Sequence, residues 1–315
     1  MPGDLLLAIV GPTASGKTRL ALDCARALGG ELVGTDSMQA YTGLSIGTAK
    51  PTAQELGEVP HHMIDIWPIS HAADIAEFQA RARSSIEDVS SRRKQPIVVG
   101  GSVLYINAVL DDYVFPGTDP EVRAHYEALL ARNGVDWLYQ LLRDRDPQAA
   151  AEIQANNARR IVRALEVIDI TGEPFKARLP DPPIPYYSAV RVGIDIDRTV
   201  LDQLIERRVD SMIDNGFVEE VDWALSQGLR DAVTASKAIG YSHIVKVLDG
   251  QTTLEVARED MIRATQAFSR RQQRWLRQDP RITWFNYNEP ALSVQVVSHF
   301  NEILSAHQGG KKRPG

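Results

Sequence analysis

Leu5-Leu-Leu-Ala-Ile-Val-Gly-Pro-Thr-Ala-Ser-Gly-Lys-Thr18 decides the reading of this chain. An apolar run ends at Val10, a glycine loop follows, and Leu20-Ala-Leu-Asp-Cys-Ala-Arg-Ala-Leu28 then has the texture of a helix. Strand, glycine loop and helix in that order are the context that a phosphate-cradling P-loop requires. Across Gly11, Pro12, Thr13, Ala14, Ser15 and Gly16 the backbone can turn N–H groups inward around an anion, and the next helix adds its positive end. Lys17 can reach an outer phosphate, and the Thr18 hydroxyl can hold Mg²⁺. A chance surface loop would lack these flanks. The stretch predicts a phosphorylated ligand.

Outward from the loop, the first hundred residues repeat the strand–helix pattern. Glu31-Leu-Val-Gly-Thr35 reads as a strand ending at Asp36, and Met63-Ile-Asp-Ile66 as a third. A helical stretch from Ile75 to Val89 follows, then Pro96-Ile-Val-Val99, which stops at Gly100-Gly101-Ser102. The alternation predicts an α/β fold, a P-loop core whose parallel sheet is flanked by helices on both faces. Ligands of such sheets bind outside the carboxyl ends of the strands, where Asp36, Asp65 and Ser102 fall. The texture changes near Tyr113-Val-Phe-Pro-Gly-Thr-Asp-Pro120, and from Glu121 to about Thr171 it is helical only, with turns at Asn133-Gly134 and Asp146-Pro147. Pro180-Asp-Pro-Pro-Ile-Pro185 reads as a stiff, extended connection. A strand returns at Ala189-Val-Arg-Val-Gly-Ile-Asp195. The expected plan is a core over 1–116, a small all-helical insertion domain over 117–187, a mainly helical completion of the core over 188–306, and a disordered tail over 307–315.

Composition excludes several classes. Hydrophobic residues make up 43% and charged residues 24% of 315, as in an ordinary globular protein. No apolar stretch reaches the roughly 20 residues of a membrane span, and the apolar N-terminal run leads straight into the glycine loop instead of a cleavage site. The expected location is cytoplasmic, with no membrane partner, and the expected state is a monomer. The single cysteine, Cys24, allows no disulfide framework and no zinc cluster. A net charge of −6 argues against loose nucleic-acid binding over the whole surface, though not against a local basic groove.

Several side chains can carry chemistry. Asp36 could hold Mg²⁺ through water, take a proton from a nucleophile, or cap a turn. Gln39 beside it offers both a donor and an acceptor, which suits a base edge. Ser102 opens the helix Val103 to Leu110, where it can cap the helix and also face the P-loop anion. His61-His62 looks like a metal pair, but neighbours on an extended segment point to opposite sides and no further Cys or His lies nearby. Arg159, Arg160 and Arg163 form one basic stripe, and Arg270, Arg274 and Arg277 with Arg271 form another, with Trp275 among them. Solvation alone accounts for one such stripe. Two, in an acidic chain with a phosphate site, suit an RNA backbone.

Taken together these blocks resemble the tRNA dimethylallyltransferases. Beyond the P-loop, the resemblance runs through Thr35-Asp-Ser-Met-Gln-Ala-Tyr41, Gly43-Leu-Ser-Ile-Gly-Thr-Ala-Lys-Pro51, Pro60-His-His-Met-Ile-Asp65 and Val99-Gly-Gly-Ser-Val-Leu-Tyr105. It continues through Arg159-Arg-Ile-Val-Arg-Ala-Leu-Glu-Val167, Thr171-Gly-Glu-Pro174, Arg207-Arg-Val-Asp-Ser-Met212, Gly216-Phe-Val-Glu-Glu-Val221, Ala238-Ile-Gly-Tyr241 and Arg270-Arg-Gln-Gln-Arg-Trp-Leu-Arg277. The resemblance implies transfer of a dimethylallyl group from dimethylallyl diphosphate to the exocyclic N6 of the adenosine 3′-adjacent to the anticodon in tRNA. It implies Asp36 as general base, Lys17, Ser102 and Arg208 about the diphosphate with Arg207 as the alternative, and Mg²⁺ on Thr18. It also implies tRNA contacts from Asp36, Ser37, Met38, Gln39, Ser102, Arg123, Arg159, Arg160, Arg163, Lys237, Arg270, Arg271, Arg274 and Arg277, with the insertion over the anticodon stem-loop. Departures from the pattern are Ser102 for Thr, Val103 for Gly, Gln154-Ala-Asn-Asn157 for a His-Pro-Asn-Asp type sequence, Ser242 for a basic residue and Arg274 for Thr; they bear on docking more than on chemistry. The rivals are a small-molecule kinase with Arg159 to Arg163 as its lid, a prenyltransferase of free adenine nucleotides, and a nucleotide-switched RNA-binding module. The last lacks an Asn-Lys-x-Asp guanine-reading motif.

Overall fold

A computed structural model describes residues 5–175 and 183–310. In chain order the elements are β1 (Leu6–Val10), α1 (Lys17–Leu28), β2 (Gly30–Gly34), α2 (Ala53–Glu58), β3 (His61–His62), α3 (Ile75–Ser91), β4 (Gln95–Gly100) and α4 (Val103–Leu110). Then come α5 (Pro120–Asn133), α6 (Val135–Arg145), α7 (Pro147–Glu152) and α8 (Ala158–Thr171). The chain continues with β5 (Ala189–Asp195), α9 (Arg198–Asp214), α10 (Phe217–Ser226), α11 (Tyr241–Leu248), α12 (Leu254–Leu276), β6 (Ile282–Asn286) and α13 (Leu292–Gly310).

The strands form one parallel sheet in the order β3-β2-β4-β1-β5-β6. The unbroken apolar run of β1 follows from burial on both faces. Leu6, Ala8 and Val10 enter the core on one side, with Val33, Val98 and the apolar stripe Phe78, Ala82 and Ile86 of α3. Leu5, Leu7 and Ile9 enter the core on the other, with Leu20, Leu22 and Cys24 of α1 and Val296 and Phe300 of α13. Burial pushes the Cys24 thiol up to about 12, so it packs as a small apolar group. The described part of Asp111–Pro185, with Asp74–Ala76, forms a second compact unit. Its helices α5 to α8 close over a separate core of Tyr126, Leu138, Leu142, Ile161 and Leu165.

Three expectations are corrected. The third strand lies at His61–His62 and not at Met63–Ile66, because Met63 and Asp65 have φ of 68° and 54° and break the extended run. A sixth strand, β6, pairs in parallel with β5 inside the stretch that reads as helical. Helix α13 extends to Gly310, into the first residues of the expected disordered tail. The rest of that tail, and most of the proline-rich connection before Pro185, lie outside the described residues.

Candidate active site

The P-loop sits at the carboxyl edge of the sheet, where the ends of three strands are tied to one another. Gly11 N donates to Gly100 O at 3.3 Å, and Thr35 donates to Val99 O through its N at 2.8 Å and its Oγ1 at 3.1 Å. Gly101 is required by close approach: a Cβ there would stand 2.7 Å from Gly11 O and 2.6 Å from Gln272 Nε2. The space is taken by Gln272 of α12, which is buried and whose Oε1 accepts from Thr13 N at 2.8 Å. A long helix from the far end of the chain therefore holds the phosphate loop in shape.

Lys17 opens α1, and its Nζ donates to Pro12 O at 3.2 Å. Its pKa is lowered to about 8, chiefly by burial and then by the Arg208 guanidinium, with Asp36 acting in the opposite sense. Helical periodicity explains why Arg208 and not Arg207 is the neighbour. Leu201 and Ile205 of α9 pack with Ala14 of the P-loop, Arg208 continues that face one turn on, and Arg207 is exposed. Burial lowers the Arg208 pKa as well, and Asp36 again opposes the shift. Asp36 is exposed and held in an Asx turn by Met38 N, which donates to its Oδ1 at 3.0 Å. Turn capping and proton acceptance need not compete, since the turn engages one carboxylate oxygen. Two desolvated cations face one carboxylate beside a cradle of backbone N–H groups. Such a site is short of negative charge and suits a polyanion.

Against known proteins, the IPP transferase family model matches residues 39–279. The tRNA dimethylallyltransferase of Salinispora arenicola is 51% identical over 281 residues, covering 89% of this chain and 82% of that protein. This chain belongs to the tRNA dimethylallyltransferase family. It is an enzyme, a prenyltransferase. The relative from Nocardioides sp. is 49% identical over 293 residues, with 93% of this chain and 94% of that protein covered. The solved full-length tRNA isopentenylpyrophosphate transferase of Bacillus halodurans aligns with a TM-score of 0.72 at 37% identity, covering 98% of this chain and 99% of that one.

In a tRNA dimethylallyltransferase the remaining candidates fall into sets the structure treats differently. Within the smaller unit, Arg159 and Arg160 are exposed on α8. Arg123 and Arg163 are committed inward: Arg123 donates to the buried Glu166 at 2.7 Å, and Arg163 to Pro116 O at 2.6 Å and Gly117 O at 3.1 Å. In the larger unit Arg270, Arg271, Arg274 and Lys237 are exposed. Arg270, Gln273, Arg274 and Arg277 line an open depression together with Arg198. Arg277 pairs there with Asp195 and lies 4.0 Å over the Trp284 ring. Ser102 is partly buried just before α4, where its carbonyl accepts from Ile106 N at 2.9 Å. Ser37 is buried, and Met38 packs on the core. Gln39 is not loose: its Nε2 donates to Thr48 O and Ala49 O, both at 3.1 Å.

His61 and His62 have structural partners, His61 Nδ1 with Val59 O at 2.7 Å and His62 Nε2 with Glu31 at 2.8 Å. Among the described residues no group of three or more His, Cys, Asp or Glu is placed to hold a metal. What Thr18 and Asp36 offer is a hydroxyl and a carboxylate beside the anion cradle. That sparse donor set fits Mg²⁺, which keeps several waters and binds substrate phosphates instead of sitting in a protein cage.

Sequence reasoning missed Gln272, Arg198 and Glu220. Only Gln272 had a readable signal: a glutamine on the α12 stripe that otherwise carries Met261 and Leu276 inward.

Proposed function

We propose that this enzyme transfers a dimethylallyl group from dimethylallyl diphosphate to the exocyclic N6 of the adenosine 3′-adjacent to the anticodon in tRNA, releasing diphosphate. Family membership supports the reaction class. The observation that carries the site reading is the pair of desolvated cations, Lys17 and Arg208, set against Asp36 at the P-loop.

N6 of adenine is a weak nucleophile because its lone pair is delocalised into the ring. As N6 bonds to C1 of the donor and the C1–O bond breaks, Asp36 takes the N6 proton through the carboxylate oxygen not engaged by Met38. The electron pair of the broken bond goes to the diphosphate oxygen. Lys17, Arg208 and the P-loop N–H groups lie where that charge collects, and Ser102 adds a hydroxyl at the same edge. Thr18 would hold Mg²⁺, which would supply further charge neutralisation on the diphosphate. The adenosine leaves its stack to reach the site, as bases do for enzymes that act on them. Arg159 and Arg160 on the insertion, and Arg270, Arg271, Arg274 and Lys237 on the core, contribute phosphate contacts to the anticodon stem-loop.

The test is Asp36→Asn, which keeps the size of the side chain and removes the base. The expected result is a fall in kcat of about 10²-fold or more with little change in donor affinity. An unchanged kcat would remove Asp36 from the base role.

A further inference from the structure

Glu220, on α10, makes contacts that the transfer reaction as described does not use. Its Oε2 accepts from Ser45 N at 2.9 Å and Ile46 N at 2.6 Å, and its Oε1 accepts from Gly47 N at 3.0 Å and the Tyr241 hydroxyl at 2.6 Å. One carboxylate thus grips three consecutive backbone N–H groups. The loop it grips seats tightly: a Cβ on Gly47 would lie 2.3 Å from the Phe217 ring and 2.6 Å from the Tyr241 ring.

The loop continues into Thr48 and Ala49, whose carbonyls both accept from Gln39 Nε2. A terminal amide can present either end to a ligand, and two carbonyls on its nitrogen remove that freedom. The nitrogen is turned into the loop, and Oε1 is the end left for a ligand. Gln39 stands on the same turn as Asp36, with Gln39 N donating to Asp36 O at 3.2 Å.

We infer that Glu220 is a positioning residue for substrate selection: through the 45–49 loop it locks the Gln39 amide with its oxygen outward, so that the site accepts an exocyclic amine and repels a keto group. The inference rests on the proposed adenosine acceptor. An amide oxygen accepts from an amino group but meets a 6-keto oxygen lone pair to lone pair. A freely flipping amide would serve both. The clamp therefore sets a preference that Gln39 alone cannot enforce.

The test measures equilibrium binding of two anticodon stem-loops that differ only at the acceptor nucleotide, one with adenosine and one with inosine, with inorganic diphosphate present. The wild-type protein should prefer adenosine by about tenfold or more. Glu220→Gln turns an NH₂ group toward backbone donors and releases the loop, so the preference should collapse to about twofold, with inosine binding unchanged or improved. Gln39→Met, which offers neither the outward acceptor nor a donor to Thr48 and Ala49, should lose the preference in the same way and covers the case in which Glu220→Gln does not fold. Equal weakening of both stem-loops, or a preference that survives both substitutions, would overturn the inference. Wild-type protein that prenylates no tRNA would overturn the adenosine reading, and this inference with it. Wild-type prenylation with no adenosine preference would overturn the inference alone.

Discussion

Replacing Lys17 by Met should stabilise the ligand-free protein while abolishing its chemistry, and the gain should depend on pH. The Lys17 pKa falls from 10.5 in the unfolded chain to about 8 in the fold, chiefly through burial and then through Arg208. At pH 7 the lysine is charged in both states, and holding that charge in the fold costs up to about 3–4 kcal/mol at about 1.4 kcal/mol per pKa unit. Partial exposure brings the figure to about 1–2 kcal/mol. The lost bond from Nζ to Pro12 O, long at 3.2 Å, returns about 0.5–1 kcal/mol of this at every pH. Between about pH 8 and 10.5 the unfolded lysine holds a proton that the folded one has shed, so wild-type stability rises with pH across that window. The advantage of Lys17→Met should therefore shrink by about 1 kcal/mol between pH 7 and pH 9.5. Urea denaturation of both proteins at the two values measures it. A pH-independent difference would mean that Lys17 carries no desolvation penalty and that the pocket is not short of negative charge.

Other outcomes follow from the same contacts. Because kcat/KM for the donor reports the free enzyme, it should fall as pH rises through about 8, where Lys17 loses its charge, and Lys17→Arg should move that limb upward. Gly101→Ala places a methyl against backbone at Gly11 O and should cost about 2 kcal/mol in denaturant unfolding, with a larger loss of donor binding than of tRNA binding. Glu166→Ala strands Arg123 and Arg163 over a core position that is fully buried and should cost about 3 kcal/mol, read as loss of helical signal in thermal unfolding. On the proposed reading, in which Arg274 meets a phosphate and no base, Arg274→Ala should weaken binding to all tRNAs and reduce the log–log salt slope by about 1.

Much of the core was legible because its signals are local. Strands β1, β2, β4 and β5 are short, mainly apolar runs largely buried on both faces, with Glu31 and Arg191 as the charged exceptions, and each run stops at the residues that build the sheet edge. What depends on distant parts of the chain was not legible. Strand β6 is five residues after Asp279-Pro280, too brief to stand out from its helical surroundings. Gln272 and Glu220 act through contacts more than 170 residues away along the chain. The choice between Arg207 and Arg208 lies between these cases: it needed only the α9 periodicity that puts Leu201, Ile205 and Arg208 along one side. Arg123 and Arg163 are the counterexample to reading arginines by position, since hydrogen bonds to Glu166 and to backbone carbonyls occupy guanidinium groups that a sequence shows only as positive charge.

Mass spectrometry of an in-vitro reaction reads the proposed transfer on the nucleotide itself. The protein is combined with Mg²⁺, dimethylallyl diphosphate and an unmodified tRNA carrying adenosine 3′ to its anticodon, with Asp36→Ala alongside. The expected result is a dimethylallyl mass increment on that adenosine, strongly reduced in the variant. No increment across a panel of tRNAs, or an increment that Asp36→Ala leaves intact, would contradict it.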